Sequence, residues 1–364
     1  MQQLVTQNKV LICVGSGGVG KTTVSASLGV LAAQLGLKVL VLTIDPARRL
    51  ATSLGLDSNF EGEVRVPNQN YKGELYAALI HPEEIFETFI RQTLENEGDV
   101  ERLLQNRLYR QLATTLSGSQ EFTSLEKLLC SVESKKYDLV ILDTPPAQHA
   151  VEFLGAPEKI YSLFQESVTR WFISPKGEGV GLFRKIVERG TKTVMGVLEK
   201  LTGSQFVNEL GIFFECVWGL QKRIRERSTQ VNQLLKESST GFVLVTGFDE
   251  SKLKEAQQFF TFLSSEGYRL VKVVLNRSFP IWAELEVDDD EKDQQSIKSL
   301  QELRQLYFEM KEYNKGKQKV YDQFVEQLQD PTLVVKIPEM NQDVVGIPGL
   351  ELLAQEIHNR SRES

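Results

Sequence analysis

A glycine-rich segment near the N-terminus constrains the fold of this chain more than any other feature. Residues 11–23 read LICVGSGGVGKTT, in which an apolar run ends at a glycine cluster that a lysine and two hydroxyl residues follow. From Gly15 to Thr22 the segment fits G-x-x-x-x-G-K-[ST], a loop that requires a strand before it and a helix after it. The flanking sequence predicts both, because apolar residues then recur at steps of four, three and four up to Leu35, and Gly36 stands at a C-cap position.

Each residue type in this loop suits the binding of a nucleoside triphosphate. Glycines let consecutive backbone N–H groups curl around a phosphate, and the helix N-terminus adds partial positive charge. Lys21 would bridge the β- and γ-phosphates and Thr22 would ligate Mg²⁺. A flexible glycine turn with an exposed lysine is the alternative. The predicted nucleotide-binding residues are Gly15, Ser16, Gly17, Gly18, Val19, Gly20, Lys21, Thr22 and Thr23.

Seven apolar runs predict the strands of a mostly parallel sheet. Most are apolar throughout, which is typical of strands covered by helices on both faces. Because helical patterns lie between them, we expect a doubly wound α/β fold with right-handed crossovers. The predicted strands are Lys9–Val14, Lys38–Ile44, Glu74–Ile80, Tyr137–Asp143, Phe242–Thr246, Arg269–Asn276 and Thr332–Ile337.

The chain is predicted to form a single domain over residues 1–364, with a helical subdomain inserted. Residues 83–136 and 158–240 carry helical periodicity with few strand signals, and we expect them to form this subdomain together. Residues 284–298 begin with ELEVDDDEKD and predict an acidic, disordered loop. A long helix is then expected over Leu300–Leu328, although Asn314 and Gly316 could break it.

Composition restricts the partners and the compartment. The formal net charge of −7 argues against a broad nucleic-acid-binding surface. The cysteines, Cys13, Cys130 and Cys216, are far apart and form no C-x-x-C, so neither a disulfide framework nor a zinc site is expected. No secretory signal opens the chain, and no apolar run reaches the roughly 20 residues that span a bilayer. We therefore predict a cytoplasmic protein without a transmembrane segment.

Two aspartates close predicted strands at the edge where open α/β sheets bind ligands. Asp45 could contact Mg²⁺ and orient the water that attacks the γ-phosphate, or it could simply open an Asp-Pro turn. Asp143 ends the strand YDLVILD, the Walker B arrangement in which a carboxylate holds Mg²⁺ directly or through water. A helix or turn cap is the alternative for Asp143, and His149 could be structural or part of a switch.

Five spaced segments together resemble the ArsA-type anion-transporting ATPases: GSGGVGKTT, TIDPARRL, LDTPPAQHAVEFLGAP, LNRSFP and VVKIPEMNQDVVGIPGL. The resemblance covers nearly the whole chain in order. It implies a P-loop ATPase of the deviant Walker A class that uses ATP and Mg²⁺. It also implies a dimer that clamps around ATP and a helical subdomain that handles a client, either a protein or an anion.

The resemblance also assigns roles by position. It implies that Asp45 is the switch I aspartate that activates water, and that Asp143 and His149 lie in switch II. Asn276 is similar to the asparagine that recognises adenine, and the stretch around Pro338 resembles the loop that packs on this base.

Three departures from the family pattern stand out. Ser16 occupies the position of a lysine that reaches the partner's phosphate, Gln148 replaces a switch II glycine, and no cysteine cluster matches a metalloid or zinc site. The missing charge could come from Arg48 or Arg49, or from a paralogue that retains the lysine. The expected partner is therefore a second copy or such a paralogue.

Two other kinds of protein stay open. One is a weakly hydrolysing nucleotide-binding subunit that regulates or scaffolds a catalytic paralogue. The other is a positioning ATPase of the partition or septum-site kind. The many apolar residues between Tyr161 and Cys216 could likewise line a groove for a hydrophobic client helix, or form the subdomain's own core.

Overall fold

The computed structural model describes residues 1–44, 49–57, 60, 62–67, 70–94, 96–107, 109–110, 117–145, 153–155, 203–278, 294–340 and 342–363. The strands in these residues are β1 (Val10–Gly15), β2 (Lys38–Thr43), β3 (Glu63–Arg65), β4 (Glu74–Leu79), β5 (Leu139–Asp143), β6 (Thr240–Thr246), β7 (Leu270–Ser278) and β8 (Val334–Pro338). The α-helices are α1 (Gln2–Gln7), α2 (Lys21–Gln34), α3 (Arg49–Leu54), α4 (Pro82–Thr93), α5 (Glu97–Gln105), α6 (Ser117–Glu133), α7 (Ser204–Lys236), α8 (Glu250–Glu266), α9 (Gln294–Leu328) and α10 (Gly346–Glu363).

The strands form one eight-stranded sheet in the order β3-β4-β2-β5-β1-β6-β7-β8. Every neighbouring pair is parallel except β3 and β4, which are antiparallel. The expected α/β fold with a mostly parallel sheet is therefore confirmed. The carboxyl ends of β1, β2 and β5 meet at one edge, so residues that are distant in sequence share a site there.

The core of the sheet follows from strands that are buried on both faces. Leu11 and Cys13 point into an apolar cluster with residues of α2 and α10. The alternate residue Ile12 points to the opposite face and is also buried. On α2, a Cβ added to Gly29 would lie 2.7 Å from a methyl group of Val41, so the helix packs very close to β2.

Two features differ from what the sequence predicts, and one confirms it. Strand β3 was not predicted; it has only three residues, Glu63–Arg65, and pairs with β4. The predicted long helix over Leu300–Leu328 is confirmed, because α9 runs unbroken through Asn314 and Gly316, although an internal glycine costs roughly 1 kcal/mol. The predicted acidic loop 284–298 is wrong for residues 294–298, which continue the helical pattern of α9, and residues 284–293 lie outside the described residues.

The chain divides into two compact units. The sheet unit comprises Met1–Leu79, Lys136–Ala150 and Ser238–Ser364, and the helical unit comprises Ile80–Lys135 and Val151–Glu237. The described residues of the helical unit include α4, α5, α6 and α7.

The helical unit has an apolar core of its own. Phe89 and Phe122 lie edge to face with ring centroids 5.9 Å apart, and Phe213 is buried in the same cluster. Ile212 packs against it. These two residues from the apolar stretch 161–216 thus contribute to the unit's own core, and residues 161–202 lie outside the described residues.

Helices α6 and α7 are also joined by a buried ion cluster. Arg227 on α7 is 3% exposed and contacts the carboxylate of Glu126 on α6 at 2.8 Å. It also donates to the half-exposed Glu133 carboxylate at 2.8 Å. Burial lowers the pKa of Arg227, but the hydrogen bonds to the two carboxylates outweigh burial and raise it overall.

Candidate functional site

The loop between β1 and α2 is shaped for close approach of its backbone to a ligand. A Cβ added to Gly15 would overlap the carbonyl oxygen of Val245 on β6, so only glycine fits there. Gly20, which precedes α2, has φ +89°, a left-handed conformation that favours glycine. Gly17 and Gly18 are exposed on the outer side of the loop. The loop therefore forms a cradle whose glycines leave the backbone of residues 17 and 18 exposed.

Lys21 is folded into this cradle. The residue is only 8% exposed, and its Nζ donates a hydrogen bond to the carbonyl oxygen of Ser16 at 2.8 Å. An exposed lysine on a flexible turn, the alternative from sequence, does not fit this burial. Ser16 itself is 2% exposed, so its hydroxyl is enclosed within the chain.

Two hydroxyls converge on the carboxylate that closes β5. The Thr22 Oγ1 donates to the Asp143 Oδ2 at 2.6 Å, and the Thr43 Oγ1 donates to the same oxygen at 3.1 Å. The strand registers bring them together, because Asp143 pairs with Cys13 of β1 on one side and with Thr43 of β2 on the other. Asp143 is only 2% exposed.

This donor set fits a magnesium ion. Mg²⁺ prefers oxygen ligands and is usually held by one or two protein groups together with water and substrate phosphates. Thr22 and Asp143 supply a hydroxyl and a carboxylate beside the cradle. Within the described part of the chain there is no cluster of three or more His, Cys, Asp or Glu residues that could hold a metal ion.

Cys13, which pairs with Asp143 in the sheet, contributes no charge of its own to the site. Cys13 is fully buried on β1, and burial raises the pKa of its thiol to about 12. Its carbonyl oxygen accepts hydrogen bonds from the Thr144 N–H at 3.2 Å and the Thr144 Oγ1 at 2.8 Å, which hold the chain as it leaves β5. A thiol with this pKa is neutral at pH 7, so Cys13 is not a nucleophile.

A pocket of about 140 Å³ lies beside the cradle at the ends of β6 and β7. Asn276 lines it and donates from Nδ2 to the carbonyl oxygen of Val19 at 2.8 Å. Pro338 ends β8, where it pairs with Ser278 of β7. The remaining lining residues are Gly17, Gly18, Val19, Gly247, Phe248, Asp249, Lys252, Arg277 and Lys317. Their charged side chains are three cations and one carboxylate, and Phe248 contributes an aromatic ring.

Of the other predicted site residues, two lie on helices and the rest lie outside the described residues. Thr23 is half-buried on α2, and Arg49 is exposed at the start of α3. Asp45, Arg48, Gln148 and His149 lie outside the described residues.

Sequence reasoning missed Thr43 and several residues of the pocket, among them Phe248 and Lys317. Thr43 was detectable, because it is a hydroxyl residue at the end of a mostly apolar strand, two residues before Asp45. Lys317 had no local signal, because only the packing of α9 brings it to the pocket.

The sequence profile described as anion-transporting ATPase matches residues 8–359. A putative arsenical pump-driving ATPase 1 of Aquifex aeolicus is 26% identical, with 96% of this chain and 78% of the relative aligned. ATPase GET3B of Arabidopsis thaliana is 28% identical over 76% of this chain and 65% of its own length. ATPase get3 of Aspergillus terreus is 26% identical over 96% of this chain and 91% of its own.

No helix among the described residues combines the length and the apolar character that crossing a bilayer requires.

Proposed function

The chain belongs to the anion-transporting ATPase family, and we propose that it is a magnesium-dependent ATPase whose hydrolysis of ATP to ADP and phosphate opens and closes a dimer. One observation carries the proposal: the Thr22 hydroxyl and the Asp143 carboxylate meet at 2.6 Å beside a glycine cradle that encloses Lys21. We further propose that the sheet unit and the helical unit act as one domain, since the chain leaves the sheet unit for the helical unit twice and returns to it each time.

The proposed roles follow from charge. Backbone N–H groups of residues 15–20 and the ammonium of Lys21 would neutralise the triphosphate, and Thr22 and Asp143 would hold Mg²⁺. Mg²⁺, when bound, would supply positive charge at the β- and γ-phosphate oxygens. Asp45 is proposed to orient the attacking water, a role that rests on the family pattern alone.

Base recognition is proposed for the pocket beside the cradle. Its lining by Asn276 and Phe248 supports the idea, because an amide can hydrogen-bond to the edge of adenine and a ring can pack on its face. Pro338 would contribute from the neighbouring strand end. The absence of an N-K-x-D segment after β7 favours adenine over guanine.

Ser16 determines what we propose about the partner chain. Because this enclosed hydroxyl cannot supply the cation that family loops carry here, we propose that Arg49 or Arg48 supplies it, or a paralogue with lysine at this position. The dimer would then be a homodimer or a heterodimer. We also propose a cytoplasmic location, a hydrophobic client for the helical unit, and no nucleic-acid partner.

The same observation supports a second candidate function. With Ser16 enclosed and without a lysine at its position, the chain could bind ATP tightly and hydrolyse it very slowly, as a subunit that regulates or scaffolds a catalytic paralogue.

Steady-state ATP turnover separates these proposals. The purified chain is assayed alone and mixed with a paralogue that carries the lysine, and in each case as wild type, Lys21→Ala and Arg49→Ala. Lys222→Ala, an exposed lysine of the helical unit, is the matched control.

The ATPase proposal expects turnover that Lys21→Ala abolishes and Lys222→Ala leaves intact. Loss of turnover in Arg49→Ala supports the route through arginine, and turnover only in the mixture supports the paralogue. Tight ATP binding with negligible turnover in every pairing would overturn the ATPase proposal in favour of the regulatory subunit.

A further inference from the structure

Helix α9 has two parts with different surroundings. Its C-terminal part is packed into the sheet unit, where Tyr321, Phe324 and Leu328 are buried. Residues 301–313 are exposed along nearly their whole length. This outer part is nevertheless rich in large apolar side chains, which an isolated solvent-facing helix does not need.

Most of the apolar side chains of the outer part lie on one face, and Phe308, 61% exposed, lies on the opposite face. Leu303 is 62% exposed, Leu306 52%, Met310 44% and Tyr313 69%. At 100° per residue, these four and Tyr307 fall within an arc of about 120°. We call these five residues the α9 stripe. Its spacing of three and four residues is the pattern by which two helices pair along a seam.

The charges beside the α9 stripe are segregated. On the same helical wheel, Glu302 and Glu309 border it on one side, and Arg304 and Lys311 border it on the other. In a parallel pair of identical helices, the two-fold axis runs along the helices, so each acidic border faces the partner's basic border. In an antiparallel pair each border faces itself, and like charges oppose each other.

We propose that the α9 stripe is a contact between two copies of this chain, with the two outer segments of α9 side by side and parallel. Glu302 and Glu309 of one copy then face Arg304 and Lys311 of the other. The inference rests on the proposed function only in taking a dimer as the active form.

The position of the stripe connects such a contact to the nucleotide pocket. Lys317, one turn beyond the stripe, lines the pocket beside the cradle and lies 3.3 Å from the carboxylate of Asp249. Its Nζ is also 4.7 Å from the ring centroid of Tyr313 in the stripe. Lys317 therefore links the two places, because the same side chain lies near Tyr313 of the stripe and lines the pocket.

Single cysteines test the orientation. Leu303→Cys and Met310→Cys are made separately in a Cys130→Ser, Cys216→Ser background of the full chain, with the outward-facing Gln301→Cys as control. In a parallel pair, a cysteine at either stripe position faces the same cysteine of the other chain. Mild oxidation should therefore yield covalent dimers of both stripe variants but not of the control variant.

An antiparallel pair cannot give that result. Seven residues rise about 10.5 Å along a helix. If residue 303 of one chain faced residue 303 of the other in an antiparallel pair, the two residues 310 would be about 21 Å apart. That distance is beyond the reach of a disulfide. Crosslinking at one stripe position only, or equally at Gln301→Cys, would overturn the proposal.

Charge exchange provides the second arm. We expect Glu302→Lys/Glu309→Lys and Arg304→Glu/Lys311→Glu each to be monomeric in sedimentation or light scattering, and an equimolar mixture to recover the dimer. Leu303→Glu/Leu306→Glu should weaken the dimer by about a hundredfold or more, since four apolar side chains lose their burial, while the outward-facing Gln301→Glu should not.

The readouts distinguish this proposal from the ATPase proposal. Wild-type dimers that survive the charge and leucine substitutions show that the copies meet elsewhere, whether or not ATP is hydrolysed. A monomeric wild type in which the same substitutions release a co-purified protein, or reduce binding to neutral lipid vesicles, identifies another occupant of the stripe. Either result contradicts the inference and leaves ATP turnover to be judged separately.

Discussion

The Thr22 hydroxyl offers the sharpest prediction about the metal. Thr22→Val keeps the shape of the side chain but removes the oxygen that lies 2.6 Å from Asp143, whereas Thr22→Ser keeps the oxygen and removes only a methyl group. If Thr22 is a magnesium ligand, the first change should uncouple ATP affinity from magnesium and the second should not.

The magnitude follows from the chemistry of the lost contact. An interaction of a hydroxyl with a charged group contributes about 1.5–3 kcal/mol, which corresponds to a change of about 10- to 150-fold in a dissociation constant. Because Thr22 is half-buried, we expect the lower part of this range. Its loss should appear in the affinity for ATP with Mg²⁺, and affinity in EDTA should change by less than about threefold.

The assay is titration of a fluorescent ATP analogue into each variant with Mg²⁺ and with EDTA. Thr43→Val is included, because its hydroxyl contacts the same Asp143 oxygen at 3.1 Å and would only position the carboxylate. Thr22→Ser should behave as wild type. A Thr22→Val chain with an undiminished response to magnesium, or a Thr22→Ser chain that loses as much of it, would refute the assignment.

Three further predictions concern stability and reactivity. Gly20→Ala should lower the free energy of unfolding by about 1–2 kcal/mol in urea and weaken nucleotide binding, because the left-handed backbone there disfavours a side chain and an added Cβ would lie 2.5 Å from the Asn276 amide; an unchanged urea midpoint would contradict this. Cys13 should resist iodoacetamide at pH 8 until the chain is unfolded, as mass spectrometry of the labelled peptide can show. Since burial raises its pKa from 9.0 to about 12, the free energy of unfolding should also decline as pH rises through that window. Arg227→Met should cost about 3–5 kcal/mol in chemical denaturation, because it leaves the Glu126 carboxylate buried without its cation, and Arg227→Met/Glu126→Met should recover most of that loss; a double variant no more stable than the single one would show that the ion cluster is not the cause.

The parts of the fold that were predictable from sequence are those with a local signal. Continuous apolar runs identify buried parallel strands, so strands such as β1 and β5 were predicted within a few residues of their ends. Strand β3 has no such signal, because its three residues include two charges and it exists only through pairing with β4. The start of α9 likewise lacks a local signal. The helix begins at Gln294, directly after the acidic segment, where the sequence predicts a loop.

The candidate site divides in the same way. The cradle and Lys21 lie in one continuous segment, so a local pattern predicts them, and Asp143 follows because the ends of parallel strands share one edge. The contact of Thr43 with Asp143 depends on the register of β2 against β5. The hydrogen bond from Asn276 to Val19 depends on how β7 approaches the loop, which periodicity cannot give.

Calorimetry with ATP and Mg²⁺ tests the central claim most directly, because it reads binding at the cradle without requiring turnover or a partner. We expect saturable binding of one nucleotide per chain to the wild type, and a loss of at least about a hundredfold in affinity in Lys21→Ala, since the enclosed ammonium is the cradle's own cation. Lys222→Ala should bind as the wild type does. Absence of heat with the wild type, or equal binding by Lys21→Ala, would contradict the account.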